Sequence, residues 1–482
     1  MLTGYQRSPV ARLAGSRTLS SVAVSPESIT PAGGETPAKR DGERAGNLSY
    51  GSVWALIVYV GGAGLTSIAQ FEIARLVGVS SYGIYSYSFA WASVLAYSAT
   101  LGFNVALLRF VPGYGAKEQW PLARGVIRFA VAWSLVAALL AAGTGIAIVA
   151  ISSSRPYSEH VVSLMIGMAT VPLMTMYLIG ATLLRAFGGI VSALLPERVI
   201  RDAVLLALVG LVAIAATWPL NATLVMAALL ISSAVTVGAV GVFMRRLWPA
   251  TLRGVSPSYL PRYWLATVFP IMIMTAVDTL MNRTGVMLLG WSGNIRDAGI
   301  FAVGFNVAML LLLPRVAVST VFAPKIADLH ARGDQAGLQQ LFAHASTLSF
   351  VGTVMLALPL LVVLGPLLRW FGHDFVAATH LTQILMAGQI FAAAAGPHQN
   401  LLTMTGHERA AAVVMIASAV ANLAACAIGI ALFGVIGAAV ASTAGMVLWN
   451  VATAICIYRR LNLIPGLAVA IGGVLRRRRL AG

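Results

Sequence analysis

The chain has 482 residues, of which 59% are hydrophobic and only 10% charged, with a mean hydropathy of +0.86. A soluble domain carries roughly 25% charged residues, so this composition excludes a water-soluble globule and calls for a bilayer as solvent. The formal charge of +17 raises nucleic acid as a partner, but the basic residues flank apolar runs, so membrane topology accounts for them and no nucleic-acid partner is expected.

Residues 1–48 are rich in Ser, Pro, Gly, Arg and Glu and hold no apolar run. A secretory signal needs a hydrophobic centre of about 7–15 residues, so this stretch reads as a disordered cytoplasmic tail. Twelve apolar segments follow, at roughly 50–76, 83–108, 124–151, 160–184, 197–217, 222–244, 263–289, 298–323, 338–365, 378–402, 409–432 and 435–458. Each is long enough to cross a hydrocarbon core of about 30 Å as a helix. None shows the roughly ten-residue alternating segments of a membrane β-barrel. The expected fold class is an all-α membrane protein with twelve transmembrane helices. The two cysteines, Cys426 and Cys456, fall inside spans without a ligand cluster and read as small hydrophobes.

Charge sets the expected orientation. Of the 32 Lys and Arg residues, Arg155, Arg296 and Arg369 fall in alternate loops and Arg75, Arg283 and Arg315 fall within spans. All the others lie in the remaining loops, at the span ends that border them, or in the two tails, which places both termini in the cytoplasm. The tail 461–482 has an apolar run too short to span. It reads as an interfacial segment with Arg476–Arg479 against headgroups, or as a plain charged terminus.

A repeat runs through the spans. "RLVGVSSYGIYSYS" (Arg75–Ser88) returns as "LGWSGNIRDAGIFAVG" (Leu289–Gly304), with Gly78 matched to Gly290 and Tyr82 to Ala298. Pro112 matches Pro324, and "LLRAFGG" (Leu183–Gly189) matches "LLTMTGH" (Leu401–His407). Landmarks at nearly one offset imply an N-lobe, 49–247, a basic linker, 248–262, and a C-lobe, 263–460. Six spans in each half make the two a parallel repeat about an axis along the membrane normal, with a cleft between them suited to rocking-type alternating access.

The stretches "ARLVGVSSYGIYSYSFAWASVLAYSATLGFNVALLRFVPGYG", "PKIADLHARGDQAGLQQLFAHAS" and "LFGVIGAAVASTAGMVLWNVATA" resemble bacterial polysaccharide flippases. These O-antigen and exopolysaccharide flippases share a superfamily with multidrug and toxic compound extrusion (MATE) transporters. The resemblance covers residues 49–460 and implies a MATE-like two-lobe transporter of a polyprenyl-diphosphate-linked oligosaccharide. It also implies membrane lipids, and a polysaccharide polymerase with its chain-length machinery, as partners. The two additional C-terminal helices usual in lipid II flippases have no clear counterpart here.

Charges within spans are the candidate site residues, because a charge at the bilayer centre costs at least about 2.5–3.5 kcal/mol and normally faces a cavity or a partner. Asp278, in "IMIMTAVDTLMNRTG", reads either as a cavity carboxylate that titrates or binds a cation, or as a packed partner of an Arg; Asn282 shares its helix face. Arg283 and Arg315 read as contacts for diphosphate oxygens or as structural and snorkelling residues. Pro314 is expected to kink the helix beside Arg315. Glu72 and Arg75, at i,i+3, suit a surface ion pair, with Glu72 a further candidate for ion coupling and Arg75 for the cavity. Arg109 is either a headgroup anchor or part of a cytoplasmic intake site for a phosphorylated lipid. Asn104, Asn306, Gln389 and His398 read as interhelical hydrogen-bonding groups or as contacts for sugar hydroxyls.

The sequence holds no G-x-x-x-x-G-K-[ST], G-x-S-x-G or H-E-x-x-H. No cofactor is expected, and the drive would be H⁺, Na⁺, the membrane potential or consumption of product. A cation-coupled drug exporter is the second reading, with Asp278 its carboxylate. A polytopic glycan polymerase or ligase is the third, with Glu159, His160, Asp297, His373, Asp374 and His380 as its loop groups.

Overall fold

The structure, a computed structural model, describes residues 37–153, 157–215, 220–398, 401, 402, 405 and 408–463. The C-terminal interfacial segment and the His407 end of the last repeat landmark lie outside the described residues. Every regular element among the described residues is helical: α1 (Pro37–Ala99), α2 (Phe103–Gly115), α3 (Trp120–Ser152), α4 (Glu159–Ala186), α5 (Ile190–Leu195), α6 (Arg201–Ala215), α7 (Ala222–Leu247), α8 (Pro261–Trp291), α9 (Ile295–Met309), α10 (Leu313–Ala331), α11 (Gln335–Phe371), α12 (Ala378–Ala395) and α13 (Glu408–Leu461), with short 3₁₀ and π turns. α1 begins at Pro37, within the stretch expected to be a disordered tail. Proline suits the first helical position, and the Ala, Lys, Arg and Glu that follow are good helix formers.

Nine stretches of the described residues are long and apolar enough to cross a membrane, and two of them, of 59 and 52 residues, are not single rods. At 1.5 Å per residue each would be more than twice as long as a bilayer core is thick. Each folds back at one glycine with non-helical backbone: Gly78 (φ 76°, ψ 172°) in α1 and Gly434 (φ 58°, ψ −136°) in α13. Across the first bend Gln70 Nε2 donates to the Tyr85 hydroxyl at 3.0 Å, and the Tyr82 hydroxyl donates to Gln70 Oε1 at 3.1 Å. Across the second, Gly429 and Gly437 pack backbone to backbone, and Cys426 Sγ lies 3.6 Å from the Ser442 hydroxyl. The expected loops between spans one and two and between eleven and twelve are therefore single-residue reversals.

Three expected spans are interrupted. The second, drawn as continuous over 83–108, breaks at 100–102, where Leu101 (φ 52°) and Gly102 (φ 81°) take left-handed backbone. The break lets Gly102 approach the α8 backbone at Val268 and Met272, where no side chain would fit. The fifth begins at Ile190 as α5 and passes through a π turn, Pro196–Ile200, into α6. The eighth is interrupted by a 3₁₀ turn at Leu310–Leu312, directly before Pro314. In the second copy of the repeated phrase the glycine that takes positive φ is Gly293 (82°) rather than Gly290, which is buried against the Tyr87 ring.

Core packing distinguishes the two ends of the bundle. At the end carrying Gly78, Gly293 and Gly434, here the hairpin end, one apolar cluster runs through both lobes, from Ile73, Tyr82 and Tyr87 to Leu289, Phe301, Phe371 and Phe375. At the opposite end, which carries Arg245, Arg246, Arg459 and Arg460, there are separate cores. One joins Phe103, Phe110, Val126 and Ile179 to Trp264 and Val268 of α8; the other joins Ile326, Phe342, Leu401 and Ile457. The first turns of α8 thus pack with the N-lobe, although the sequence places 263 onward in the C-lobe. Trp264 is fully buried and its indole Nε1 donates to the Tyr114 hydroxyl at 2.9 Å. Ser258 N donates to Pro121 O at 2.9 Å, fixing the linker on α3.

Candidate functional site

Between its buried ends α8 is half-buried, packed on α13. From Ile271 to Arg283 it has no fully buried residue. The later part of that stretch, Asp278–Arg283, lines a cavity of about 360 Å³ between the lobes. α8 contributes Asp278, Asn282 and Arg283, α9 contributes Asn306, and α1 contributes Thr66, Gln70 and Tyr97. Tyr177 of α4, Glu197 and Arg198 of the π turn, and Arg201 of α6 complete the wall.

The cavity holds three guanidinium groups in two different situations. Arg201 Nε lies 2.8 Å from Asp202 Oδ1, and Asp202, only 2% exposed, also accepts from the Thr66 hydroxyl. Arg201 further donates to the Tyr177 hydroxyl at 3.2 Å, so its charge is neutralised and its donors are largely used. Arg283 instead lies over the Phe89 ring, 5.0 Å from its centroid, and Arg198 over the Tyr59 ring at 5.1 Å. Among the described residues neither makes a hydrogen bond or an ion pair, and Arg198 Nε is buried without a partner. Stacking occupies the face of a guanidinium and leaves its in-plane N–H fork free for an anion.

The roof of the cavity ties the lobes together. Asn306 Nδ2 donates to the Tyr82 hydroxyl at 2.9 Å, extending the chain Tyr85–Gln70–Tyr82 from the N-lobe to α9. Beyond it Phe71 stacks on Phe371 with centroids 4.7 Å apart.

The structure brings Asp278, Asn282, Arg283 and Asn306 into this one cavity. Asn282 Nδ2 donates to the Asp278 backbone carbonyl at 2.9 Å and not to its carboxylate. Asp278 forms no ion pair with any described residue; it and Arg315 interact only through space. Arg315 lies in a second cavity of about 360 Å³ within the C-lobe, with Ser319, His398, Trp449 and Asn450. The expected Glu72–Arg75 pair is not formed: Arg75 is exposed at the hairpin end, where its guanidinium sits 4.8 Å from the centroid of Trp370. That stacking outcompetes a solvent-exposed pair worth only a few tenths of a kcal/mol. Neither Glu72, Arg75 nor Arg109, an exposed residue of α2, lines the two cavities. Asn104 accepts from the Thr100 hydroxyl at 3.0 Å, and Gln389 Nε2 lies 3.5 Å from Met309 Sδ.

Two of the acids named for loop chemistry are held structurally. Glu159 accepts from the backbone N of Ala222 at 2.6 Å, and Asp374 pairs with Arg296 at 2.8 Å. Among the described residues no three His, Cys, Asp or Glu are grouped to hold a metal ion.

Sequence reading missed Glu197, Arg198, Arg201 and Asp202, because it counted the basic residues of 185–201 as an inner loop. The signal was present: Glu197 and Arg201 stand at i,i+4 directly after Pro196, and Asp202 opens a wholly apolar run.

No family model matches the chain, and no curated protein does. Solved structures do match. The inward-facing conformation of a multidrug resistance MATE family transporter of the MOP superfamily superposes with a TM-score of 0.69, covering 83% of this chain and 94% of its own at 14% identity. An outward-facing conformation of such a transporter gives 0.62, covering 85% and 95% at 14% identity. A MOP superfamily transporter from Pyrococcus furiosus, described by the reverse polarity of its binding pocket, gives 0.63 over 85% and 94% at 13% identity. The chain therefore has the MATE transporter fold; at these identities the likeness speaks for fold alone.

Proposed function

We propose that this chain is a flippase that carries a polyprenyl-diphosphate-linked oligosaccharide from the cytoplasmic to the outer leaflet of a bacterial inner membrane by alternating access. The observation that carries the reading is the pair Arg283 and Arg198, whose guanidinium groups stack on aromatic rings inside the interlobe cavity and pair with no carboxylate. A permanent charge held on an aromatic face, with free in-plane donors, suits bidentate contact with diphosphate oxygens. Gln70, Asn282, Asn306, Tyr97 and Tyr177 supply amide and phenol groups of the kind that bind sugar hydroxyls.

In this reading the basic end faces the cytoplasm, as the distribution of Lys and Arg favours. The lobes then meet at the outer side, and the chain rests inward-facing. The higher TM-score against an inward-facing structure supports the same state. Asp278, unpaired in the cavity beside Asn282, is the group placed to take a proton or Na⁺ during the cycle. A polysaccharide polymerase with its chain-length machinery would draw off the product outside.

The test is transfer in vesicles. Purified protein is reconstituted with a fluorescent prenyl-diphosphate oligosaccharide, and a membrane-impermeant lectin or quencher reads leaflet exchange. R283A and R198A are expected to lower the rate at least tenfold; unchanged transfer in both overturns the assignment. The second reading, a cation-coupled drug exporter, is favoured by the Asp278 carboxylate in the same cavity. It requires ethidium efflux that disappears in D278N.

A further inference from the structure

The C-lobe holds a second feature that interlobe transport does not use. α12 ends at Gly396 (φ 94°), and Pro397 follows, so the chain leaves the helix axis and turns His398 inward. His398 is 4% exposed, and among the described residues neither of its ring nitrogens has a well-aligned hydrogen-bond partner, although the Asn450 side chain lies beside it. A buried imidazole without partners forfeits on the order of 1–3 kcal/mol per group unless something else supplies the contact.

His398 and Asn450 lie where two cavities join. On one side is the C-lobe cavity, which holds Arg315, Ser319 and Thr320 in a largely apolar wall; Arg315 makes no hydrogen bond or ion pair with any described residue. On the other is a cleft of about 450 Å³ between α12 and α13, almost wholly apolar. Ala394, Ala395 and Ala454 open it by their small size. Phe391, Val451, Ile455 and Tyr458 form its rim and are 41%, 42%, 48% and 56% exposed, so it faces the hydrocarbon of the bilayer rather than the interlobe space. An apolar cleft thus leads past two polar side chains to a guanidinium with no partner among the described residues.

We propose that these joined cavities bind one lipid carrying a phosphate ester on a long hydrocarbon chain. The chain lies in the α12–α13 cleft, and the phosphate sits at His398 and Asn450, facing Arg315. His398 then donates an N–H to the phosphate, Asn450, whose Nδ2 already donates to Met446 O at 2.8 Å, offers its second amide hydrogen, and Arg315 supplies the positive charge that the C-terminal end of α12 does not. Both a bilayer phospholipid and a prenyl phosphate have this chemistry. The site shares no lining residue with the interlobe cavity, although a small pocket lined by Asn282, Met309, Arg315 and Asn450 lies between them, and it stands whether or not the chain transports glycans.

Native mass spectrometry of the delipidated full-length protein tests it, with phosphatidylglycerol, a prenyl phosphate, and their phosphate-free counterparts diacylglycerol and prenol. One tightly retained phosphate-bearing lipid is expected, with R315Q and H398A each lowering its retention about tenfold or more. A454F, inside the cleft and away from Arg315, should block retention by filling it. Preference for phosphatidylglycerol identifies a structural bilayer lipid, and preference for the prenyl phosphate identifies a prenyl lipid; either supports the site. Equal retention of diacylglycerol or prenol, or retention unaffected by both R315Q and A454F, overturns it.

Discussion

Gly83 and Gly299 lie against each other, backbone to backbone, where α1 crosses α9. A Cβ on Gly83 would overlap the Ile295 carbonyl, and one on Gly299 would overlap the Val79 carbonyl. The two glycines occupy the same place in the repeated phrase, "YGIY" and "AGIF". The two copies of the repeat therefore close the bundle by meeting each other, and a side chain at either position must part the lobes at that end. G83V and G299V are expected to shift the protein toward a state open at the hairpin end. Distances between spin labels on either side of that end should lengthen, and labels at the basic end should approach.

The Tyr82–Asn306 hydrogen bond crosses the same interface at 2.9 Å. Y82F removes it and strands the Asn306 amide in the closed form, at a cost of about 1 kcal/mol, or roughly fivefold in the balance of the two states. The same spin-label pair should report a smaller shift in the direction of the glycine variants. By contrast, Arg296–Asp374 also lies at the hairpin end but is 58% and 60% exposed, so R296A should leave the distribution where it was.

Asp202 is buried between Arg201 and Thr66. D202A leaves a buried guanidinium uncompensated and should cost about 3–5 kcal/mol of stability. Replacing both partners with apolar residues, R201M/D202L, should restore most of that loss. Thermal unfolding in detergent measures both. An equal loss in the single and the double variant would instead make Arg201 a cavity group with a role of its own.

Trp264 anchors α8 in the N-lobe core. W264A should cost about 3–5 kcal/mol through the cavity it leaves. Y114F removes only the hydrogen-bond acceptor of the indole and should cost about 1 kcal/mol. Hydrogen exchange of the amides of 261–272 should rise strongly in W264A and slightly in Y114F.

Much of this architecture was legible in the sequence because a bilayer demands long apolar helices, and Lys and Arg punctuate them. Gly83 and Gly299 were legible as matched positions of the repeated phrase, and it is there that the two backbones touch. The alignment of Gly78 with Gly290 erred because composition does not distinguish a glycine needed for positive φ, Gly293, from one needed for close approach, Gly290. Breaks inside apolar runs stayed hidden for a similar reason: "ATLGFN" around Gly102 has the polarity of its neighbours, and its break is set by α8 pressing against it. Arg198 and Arg201 were taken for loop residues because a basic residue near a proline has the same local signature whether it meets water outside the membrane or inside a cavity. Asp278, Asn282 and Arg283 were found because charge within an apolar run is costly enough to need a reason.

α8 begins in the core of one lobe and ends in the core shared with the other, with Pro270 between them. Between those cores, over 271–283, α8 is only half-buried, and this is where Asp278, Asn282 and Arg283 sit. An anion or a proton bound at those side chains would therefore act on a helix common to both cores.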